Sequence, residues 1–401
     1  MKIAIAGYGV VGRGAHELLL KNHAAIAARL GEELTVKYVL DPKDLTGTPG
    51  EGLKAAGIGE VLADPEIGLL VEAIGGVGAA YDYVRAALES GRSVVTPNKQ
   101  LIAEKGAELL ALAKEKDAAL LFEPAVAGGT PVLWPIAHCL AANELDLAAG
   151  ILNGTTNYIL TKMVAEGADF AATLADAQRL GYAEADPTAD IEGIDACRKA
   201  CILADLLFGR HTDPEKVFAQ GITKITAGDV AAADQAGFVV KLIGQARKMP
   251  DGKVLCLVTP ALIGKGHPLA AVNDVFNAVM VHGNGVGEVM FYGRGAGDLP
   301  TGSAVLGDVI EAVRTGCRYD PMMSWTDCGS DHLADRRDYA IDALCRVKEP
   351  FAGLAARFPG AACIWERDGE TAALVHGVPE GELEDYLAGR AVSPYIRVFA
   401  R

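Results

Sequence analysis

The 401-residue sequence predicts an α/β protein whose N-terminal part is a doubly wound parallel sheet. Apolar runs of strand length alternate with longer helical segments from residue 2 to residue 125, as in successive βαβ units. A glycine-rich turn, GYGVVG, joins the first strand to the first helix. These observations predict a parallel sheet with helices on both faces.

The elements of this first part can be placed one by one along the chain. Lys2–Ala6 is a short apolar strand, a helix follows over roughly residues 11–30, and LTVKYVL is a second strand that ends at Asp41. The remaining elements are the strand LLVEAIGG, the helix AAYDYVRAALESG, the strand SVVTPN, the helix KQLIAEKGAELLALAKEKD and the strand AALLFEPA.

The middle of the chain has a different pattern. A helical PVLWPIAHCLAAN leads into a strand and a helix that NGTTNYI joins. Four strand-like runs then indicate an open mixed or antiparallel sheet in a second domain: FVVKLIGQA, VLCLVTPALI, FNAVMVHG and GEVMFYG. The glycine loop and helix of GRGAGDLPTGSAVLGDVIEAVR are expected to return the chain to the first domain. From residue 336 the order is strand, helix, strand, strand, helix, strand.

Composition narrows the class of protein. The formal net charge of −15 argues against nucleic acid or an anionic membrane as the main partner, because both attract basic surfaces. There is no uncharged apolar run of 18 residues, so no membrane span is expected. The eight cysteines are scattered without a CxxC pair, which favours reduced thiols and a cytoplasmic location.

The GYGVVG turn is the candidate cofactor site. A GxGxxG match alone is weak, but here it lies between a strand and a helix, in a Rossmann-type context. Gly7 permits the tight turn, Gly9 lets the backbone approach a pyrophosphate, and Gly12 allows close packing. The helix that begins around Val10 and Val11 would supply amide donors to the phosphates.

The residues after the next two strands bear on cofactor choice. Asp41 would bind the adenosine ribose hydroxyls and repel a 2′-phosphate, which favours NAD, whereas Lys43 could attract that phosphate and favour NADP. We expect NAD to be preferred. Gly75 and Gly76 suit the ligand crevice at the carboxyl end of their strand, although a structural turn explains them equally well.

An acid-rich segment at 181–199, GYAEADPTADIEGIDACRK, is the candidate catalytic site. It carries five carboxylates, Glu184, Asp186, Asp190, Glu192 and Asp195. A helix is predicted from about Gly193, so Asp195 and Lys199 share one face four residues apart. A lysine beside carboxylates and an apolar helix is placed for proton transfer; the alternative is a solvated loop with a surface ion pair. Similarly, the small polar residues of NGTTNYI could cap their helix and donate to an anionic ligand, or only cap it.

Taken together, these segments resemble homoserine dehydrogenases over residues 1 to about 320. The blocks that carry the resemblance occur in the family's order: VVTPNKQLIAEKG, FEPAVAGGTP, GILNGTTNYI, GYAEADPTADIEGIDACRK and FYGRGAGDLPTGSAV. The resemblance implies reversible reduction of L-aspartate 4-semialdehyde to L-homoserine with NAD(P)H, on the route to threonine, methionine and isoleucine. The alternatives are another semialdehyde or imine reductase, and a dinucleotide-binding sensor without chemistry.

The resemblance also implies roles for individual residues. Lys199 would protonate the aldehyde oxygen during hydride transfer, Asp195 would orient it, and Lys99 would be a second active-site lysine. Substrate contacts would come from Glu184 and Asp190, which hold the ammonium, and from Gly154, Thr155 and Tyr182. Further cofactor contacts would come from Thr96, Pro97 and Gly297.

A monovalent cation, sodium or potassium, is the further ligand that the resemblance implies. It would be held by the Glu123 carboxylate and the carbonyls of Val126, Gly128 and Thr130. Oxygen ligands of this kind suit hard cations.

Two positions depart from the family pattern. Ala189 stands where a second acidic residue is frequent, which bears on ammonium binding, and Gly302 stands where alanine is usual, without an obvious chemical consequence. The tail resembles an ACT-type regulatory module, but its first loop, KEPF, lacks the usual glycine-centred ligand pattern. It is therefore expected to be a degenerate module that packs or dimerises without binding threonine.

The predicted elements and the family resemblance together imply a domain organisation for the chain. A Rossmann domain at 1–135, completed by about 300–325, precedes a catalytic and dimerisation domain at 136–300 and the ACT-like module at 336–401. The resemblance implies a homodimer, with higher assembly possible through the module.

Overall fold

The computed structural model describes residues 1–399 and divides into two compact units. The first unit comprises residues 1–146, 201–216 and 281–330, and the second comprises 147–200, 217–280 and 331–401. Both units are discontinuous, because the chain crosses from one to the other several times. The last two residues of the tail predicted to form the C-terminal module lie outside the described part.

The first unit contains a five-stranded parallel sheet, as predicted. Its spatial order is β2 (Thr35–Leu40), β1 (Lys2–Ala6), β3 (Ile67–Glu72), β4 (Ser93–Val95) and β5 (Leu120–Leu121). Hydrophobic side chains on the strands, such as Ile3, Ile5, Leu69 and Val71, form its core together with the helix after the glycine turn and a later helix that contains Val305. The elements to residue 139 are β1 (Lys2–Ala6), α1 (Val10–Lys21), α2 (His23–Leu30), β2 (Thr35–Leu40), α3 (Ile58–Ala63), β3 (Ile67–Glu72), α4 (Gly78–Glu89), β4 (Ser93–Val95), α5 (Lys99–Lys116), β5 (Leu120–Leu121), a 3₁₀ turn (Glu123–Ala125) and a π-helical turn (Pro135–Cys139).

Two helix predictions in this unit were wrong in extent. The single helix expected over 11–30 is two helices, because Asn22 leaves helical geometry while its N–H still bonds the carbonyl of Leu18. Asparagine favours such boundaries because its side chain competes for backbone hydrogen bonds. PVLWPIAHCLAAN forms only a short turn, in which the Leu140 N–H reaches back five residues to the carbonyl of Pro135.

The second part of the chain contains strands of the mixed sheet and the helices between them. They are β6 (Leu145–Ile151), α6 (Gly154–Glu166), α7 (Phe170–Arg179), α8 (Thr188–Ile191), α9 (Ile194–Phe208), β7 (Phe218–Ala219), α10 (Ala227–Gln235), β8 (Phe238–Lys248), β9 (Val254–Gly264), β10 (Phe276–Gly283) and β11 (Gly287–Arg294). The four strands predicted from residue 238 to 294 are confirmed. The acid-rich loop contains α8, one short helical turn that its proline and polar residues did not indicate.

The glycine loop after β11 enters α11 (Asp298–Arg314), which belongs to the first unit as predicted. Here α11 packs on α1 through two glycines. A Cβ at Gly14 would lie 2.8 Å from the Asp298 carbonyl oxygen, and one at Gly302 would lie 2.8 Å from the Ala15 nitrogen. Gly302 therefore has a packing role that its sequence context did not show.

The tail confirms the predicted order of β12 (Ala340–Val347), α12 (Phe351–Arg357), β13 (Ala362–Arg367), β14 (Glu370–Pro379), α13 (Glu380–Leu387) and β15 (Ile396–Val398). Within the second unit, the strand order is β10-β6-β8-β9-β15-β12-β14-β13, with β7 beside β9. Since β15 pairs in parallel with β9, the tail continues the sheet of this unit. No helix in the described part of the chain is long and apolar enough to cross a membrane.

Candidate active site

The glycine loop after β1 has the geometry of a phosphate-binding turn. Gly7 has a φ of +90°, and a Cβ there would collide with the backbone of Ala73. A Cβ at Gly12 would collide with the carbonyl of Gly7, so α1 begins close against the loop. Gly9 differs, because no described atom lies within 4 Å of where its Cβ would be. The loop is thus closed towards the sheet and open beside Gly9 and Val10, at the N-terminus of α1.

Asp41, at the end of β2, is tied to this loop. One of its carboxylate oxygens accepts a hydrogen bond from the Tyr8 N–H at 2.7 Å, and the other accepts one from the Lys43 N–H at 2.8 Å. Each oxygen keeps a second acceptor site, so the carboxylate can still receive a hydroxyl donor. Lys43 is exposed two residues further on. The structure therefore brings both specificity candidates beside the glycine loop.

The other predicted cofactor residues lie at the ends of strands or helices of the same unit. Gly75 and Gly76 form a left-handed turn shortly after β3, Thr96 is buried after β4, and Pro97 precedes α5. Lys99 is the first residue of α5, whose N-terminus is capped by Asn98. Gly297 has a φ of +124° and precedes α11.

The predicted cation loop is wound around a buried carboxylate. Glu123 accepts backbone hydrogen bonds from Val132, Leu133 and Trp134, and burial raises its pKa despite them. Asp308 accepts from the Glu123 N–H at 2.9 Å, and burial followed by the charge of Glu123 raises the pKa of Asp308 well above its ordinary value. Two acidic side chains thus lie close together in the interior. A bound cation would offset negative charge on these two side chains. Glu123 retains one acceptor position for such a ligand.

In the second unit, Lys199 and Asp195 form a buried ion pair. Lys199 is 7% exposed and Asp195 is 5% exposed. The Lys199 ammonium donates to Asp195 Oδ2 at 2.8 Å and to the Leu152 carbonyl at 2.8 Å. The alternative of a solvated surface pair is therefore wrong. Because both groups are removed from water, each depends on the other for compensation of its charge.

Asn153 joins this pair to Asp190. Its amide donates to Asp190 Oδ1 at 2.7 Å and to Asp195 Oδ2 at 2.9 Å, while its carbonyl oxygen caps α6 at the Thr156 N–H. The sequence indicated only the cap. Burial, followed by the charge of Asp195, raises the pKa of Asp190, and the bond from Asn153 opposes that rise. Asn153, Asp190, Asp195 and Lys199 thus make one hydrogen-bonded cluster.

The remaining substrate candidates lie next to this cluster or outside it. The Thr155 hydroxyl donates to the Tyr182 carbonyl at 2.7 Å, which ties α6 to the acid-rich loop. Gly154 lies where a Cβ would approach the Val275 carbonyl at 2.7 Å. Tyr182 and Glu184 are exposed, and the Glu184 carbonyl accepts from Gln178. In the described hydrogen-bond network, Asp190 belongs to the cluster and the Glu184 carboxylate does not.

A dinucleotide-type sheet in one unit and a buried ammonium held by a carboxylate in the other are features expected of a nicotinamide-dependent oxidoreductase. Family models sharpen this class: residues 7–123 match the NAD-binding domain of homoserine dehydrogenase, and residues 131–310 match the homoserine dehydrogenase domain. The chain belongs to the homoserine dehydrogenase family.

Known relatives agree with this assignment. The homoserine dehydrogenase of Pseudomonas aeruginosa is 45% identical over 347 residues, which cover 85% of this chain and 77% of the relative. A crystal structure of a homoserine dehydrogenase from Thiobacillus denitrificans superposes with a TM-score of 0.88 at 33% identity, covering 100% of this chain and 98% of that one. A hyperthermophilic archaeal homoserine dehydrogenase in complex with NADPH has a TM-score of 0.67 at 30% identity, covering 80% and 100%.

The family fixes the reaction. The chain is an NAD(P)-dependent oxidoreductase that interconverts L-aspartate 4-semialdehyde and L-homoserine, in the biosynthesis of threonine, methionine and isoleucine. The fold and function predicted from the sequence are confirmed at this level.

Proposed function

We propose that Lys199 protonates the aldehyde oxygen of aspartate 4-semialdehyde, and accepts the hydroxyl proton of homoserine in reverse. The bound nicotinamide cofactor supplies or receives the hydride. As the carbonyl is reduced, negative charge develops on its oxygen, and a nearby ammonium both stabilises and protonates it. The observation that supports this role is the buried contact of Lys199 with Asp195, because it holds the ammonium in one direction. Asp195 acts as the positioning residue.

The substrate's amino group is assigned to carboxylates of the acid-rich loop. Asp190 keeps free acceptor positions beyond its bond from Asn153, and Glu184 supplies a second carboxylate from an exposed position. Since Ala189 removes the frequent neighbouring acid, Asp190 carries more of this contact here. Gly154, Thr155 and Tyr182 line the amino-acid end of the pocket. Lys99 is proposed as a second active-site lysine that contacts the substrate and the proton path.

We propose NAD as the preferred cofactor because the Asp41 carboxylate is held beside the glycine loop by two backbone N–H groups. A fixed carboxylate accepts ribose hydroxyls and repels a 2′-phosphate. Lys43 is exposed and competes for that preference.

A sodium or potassium ion is proposed at Glu123, with the carbonyls of Val126, Gly128 and Thr130 as its other ligands. Ala127 and Gly128 both have positive φ, which turns this segment sharply around the candidate position. A bound ion would neutralise charge near Glu123 and Asp308 and would fix the loop.

We further propose a cytoplasmic homodimer in which the ACT-like module does not sense threonine. The eight cysteines form no disulfide in the part of the chain that the structure describes, which is usual in reducing compartments. In the first loop of the module, the Glu349 carboxylate accepts from the Tyr386 hydroxyl, and its carbonyl accepts from Thr371. These internal bonds occupy polar groups that a ligand would otherwise use.

The test of the whole assignment is formation of reduced nicotinamide on mixing purified protein with L-homoserine and NAD or NADP in separate reactions. We expect turnover with both and a higher kcat/KM with NAD. Asp41→Ala should weaken the binding of NAD more than that of NADP. Lys43→Ala should weaken the binding of NADP more than that of NAD. Turnover in potassium, in sodium and in a large organic cation would test the ion. Absence of turnover under every condition would overturn the assignment of residues.

A further inference from the structure

The fully buried carboxylate of Glu72, at the end of β3, receives three hydrogen bonds. Its Oε1 accepts from the backbone N–H groups of Ile74 at 2.6 Å and Gly75 at 3.2 Å. Its Oε2 accepts from the Thr96 hydroxyl at 2.5 Å. Glu72 is 0% exposed, so these bonds replace its hydration. The sequence pattern placed this residue inside an apolar strand and gave it no role.

The network continues from Thr96 to the start of α5. The Thr96 hydroxyl oxygen accepts from the Asn98 N–H at 3.0 Å. The Asn98 amide donates to the Gly76 carbonyl at 2.6 Å, and its oxygen caps α5 at the Leu101 N–H at 3.1 Å. One continuous set of bonds therefore fixes both the turn at residues 74–76 and the helix that begins with Lys99.

The direction of these bonds requires a carboxylate. Both Glu72 oxygens accept, and the Thr96 hydroxyl uses its single proton on Glu72 while it accepts from Asn98. A glutamine would place an N–H donor against either the backbone amides or the Thr96 hydroxyl. In the latter case the hydroxyl proton would lose its acceptor. A buried polar group that is left without a partner destabilises the network.

The turn that Glu72 supports is open on its other side. Gly75 and Gly76 have φ values of +84° and +69°, and no described atom lies within 4 Å of where a Cβ would be at either position. The turn is therefore held from the sheet side while its outer surface is accessible.

We propose that Glu72 is a positioning residue that sets the 74–76 turn and Lys99 as one rigid piece. The inference rests on the proposed roles of Gly75 and Gly76 in cofactor binding and of Lys99 in the proton path. It extends them by assigning their geometry to one buried anion. Glu72 touches neither substrate nor cofactor in this proposal and acts through Thr96 and Asn98.

The test is a double-mutant cycle on the full chain with Glu72→Gln and Lys99→Ala. We expect Glu72→Gln to lower kcat about 10–10²-fold at saturating homoserine and NAD, because it displaces Lys99 from the proton path. In the Lys99→Ala background, the same change should lower kcat by less than about threefold. Additive effects, or an unchanged kcat in Glu72→Gln, would overturn the proposal.

A second measurement separates this proposal from the assignment of Lys99. The Kd for NAD, followed by protein fluorescence without substrate, reports on the turn and should rise about tenfold in both Glu72→Gln and Asn98→Ser. Asn98→Ser removes the amide donor to the Gly76 carbonyl and keeps a capping oxygen for α5. Ser93→Ala is the matched control, since its buried hydroxyl on β4 bonds Cys317 and Ala119 away from the turn. If Lys99→Ala retains full activity, Lys99 has no role in the proton path. A raised Kd for NAD in Glu72→Gln would still support the role of Glu72 in positioning the turn. An unchanged Kd for NAD in both variants contradicts the positioning of the turn. If Glu72→Gln does not fold, Asn98→Ser alone supplies this test.

Discussion

Two buried lysines of the second unit, Lys199 on α9 and Lys241 on β8, differ in the partners that hold them. Lys199 contacts the Asp195 carboxylate, and its charge is compensated by another charge. Lys241 is 2% exposed and donates to neutral oxygens: Val272 O at 2.6 Å, Asn157 Oδ1 and Asn273 Oδ1 at 3.0 Å, and Thr161 Oγ1 at 3.5 Å. Burial lowers the pKa of Lys241 to about 8, and the charge of Asp274 opposes this.

The contrast shows that burial alone does not identify a lysine that transfers protons. The Lys241 ammonium donates both to α6 and to the loop after β9, and it thereby holds the loop against the helix. This role is structural. Lys199 is held by a carboxylate next to Asp190 and Asn153, where a polar substrate could be bound. Helix α6 contributes to the surroundings of both lysines. Asn153, which caps this helix, donates to Asp195 in the cluster that contains Lys199. Asn157, four residues later, accepts a hydrogen bond from Lys241.

The largest difference between Lys199 and Lys241 is expected in how their substitution affects kcat. Lys199→Ala should lower kcat about 10²–10⁴-fold, the usual share of general acid–base catalysis, with a smaller effect on cofactor affinity. Lys241→Met should leave kcat within about threefold, because the lysine acts on the fold. Steady-state homoserine oxidation measures both.

Lys162→Ala is the control for this comparison, since Lys162 forms an exposed i,i+4 pair with Glu166 on α6. Equal losses in the Lys199 and Lys241 variants would erase the proposed distinction. A near-normal kcat in Lys199→Ala would remove the assignment of the proton donor.

The second difference is expected in the pH dependence of stability. The folded pKa of Lys241 is about 8, below its ordinary value of 10.5, so the unfolded chain binds more protons between these pH values. The contribution of Lys241 therefore becomes more favourable as pH rises from 8 to 10.5, by up to about 3 kcal/mol. Urea unfolding of the wild type and Lys241→Met at pH 7 to 10 should show this rise only in the wild type. Parallel curves for the two proteins would contradict it.

The smallest difference is expected between Asn153, which caps α6, and Asn157, which lies within it. Asn153→Ser keeps a capping oxygen but loses the donors to Asp190 and Asp195, so kcat/KM should fall about tenfold. Asn157→Ser should cost about 1 kcal/mol of unfolding free energy and leave kcat/KM within about threefold. Kinetics and urea unfolding of both variants measure the pair. A larger kinetic loss in Asn157→Ser would show that Lys241 reaches the active site through α6.

Local patterns in the sequence predicted much of this molecule. The strand Lys2–Ala6, the glycine turn and the four strands between residues 238 and 294 have patterns that a short window contains. The parallel pairing of β15 with β9 and the hydrogen bond from Thr96 to Glu72 depend on residues far away in the chain. For the same reason, the pattern indicated Asp195 and Lys199 as a pair but not that Asn153 joins them to Asp190.

The roles assigned to individual site residues stay predictions. The structure brings Asn153, Asp190, Asp195 and Lys199 together, and it places Asp41 beside the glycine loop. Recognition of the buried lysine on β8 needed the fold, because an isolated lysine within a long strand has no sequence signal of its own.

The packing of α11 on α1 has a consequence for how the protein is made on the ribosome. Ala15 and Leu19 of α1 share a core with Val305 and Val309 of α11, so this apolar face stays uncovered until the later helix has been synthesised. Most of the second unit's chain emerges in that interval. Contacts of such large sequence separation form slowly, and exposed apolar surface promotes aggregation. The nascent N-terminal segment is therefore expected to depend on chaperone protection for much of translation.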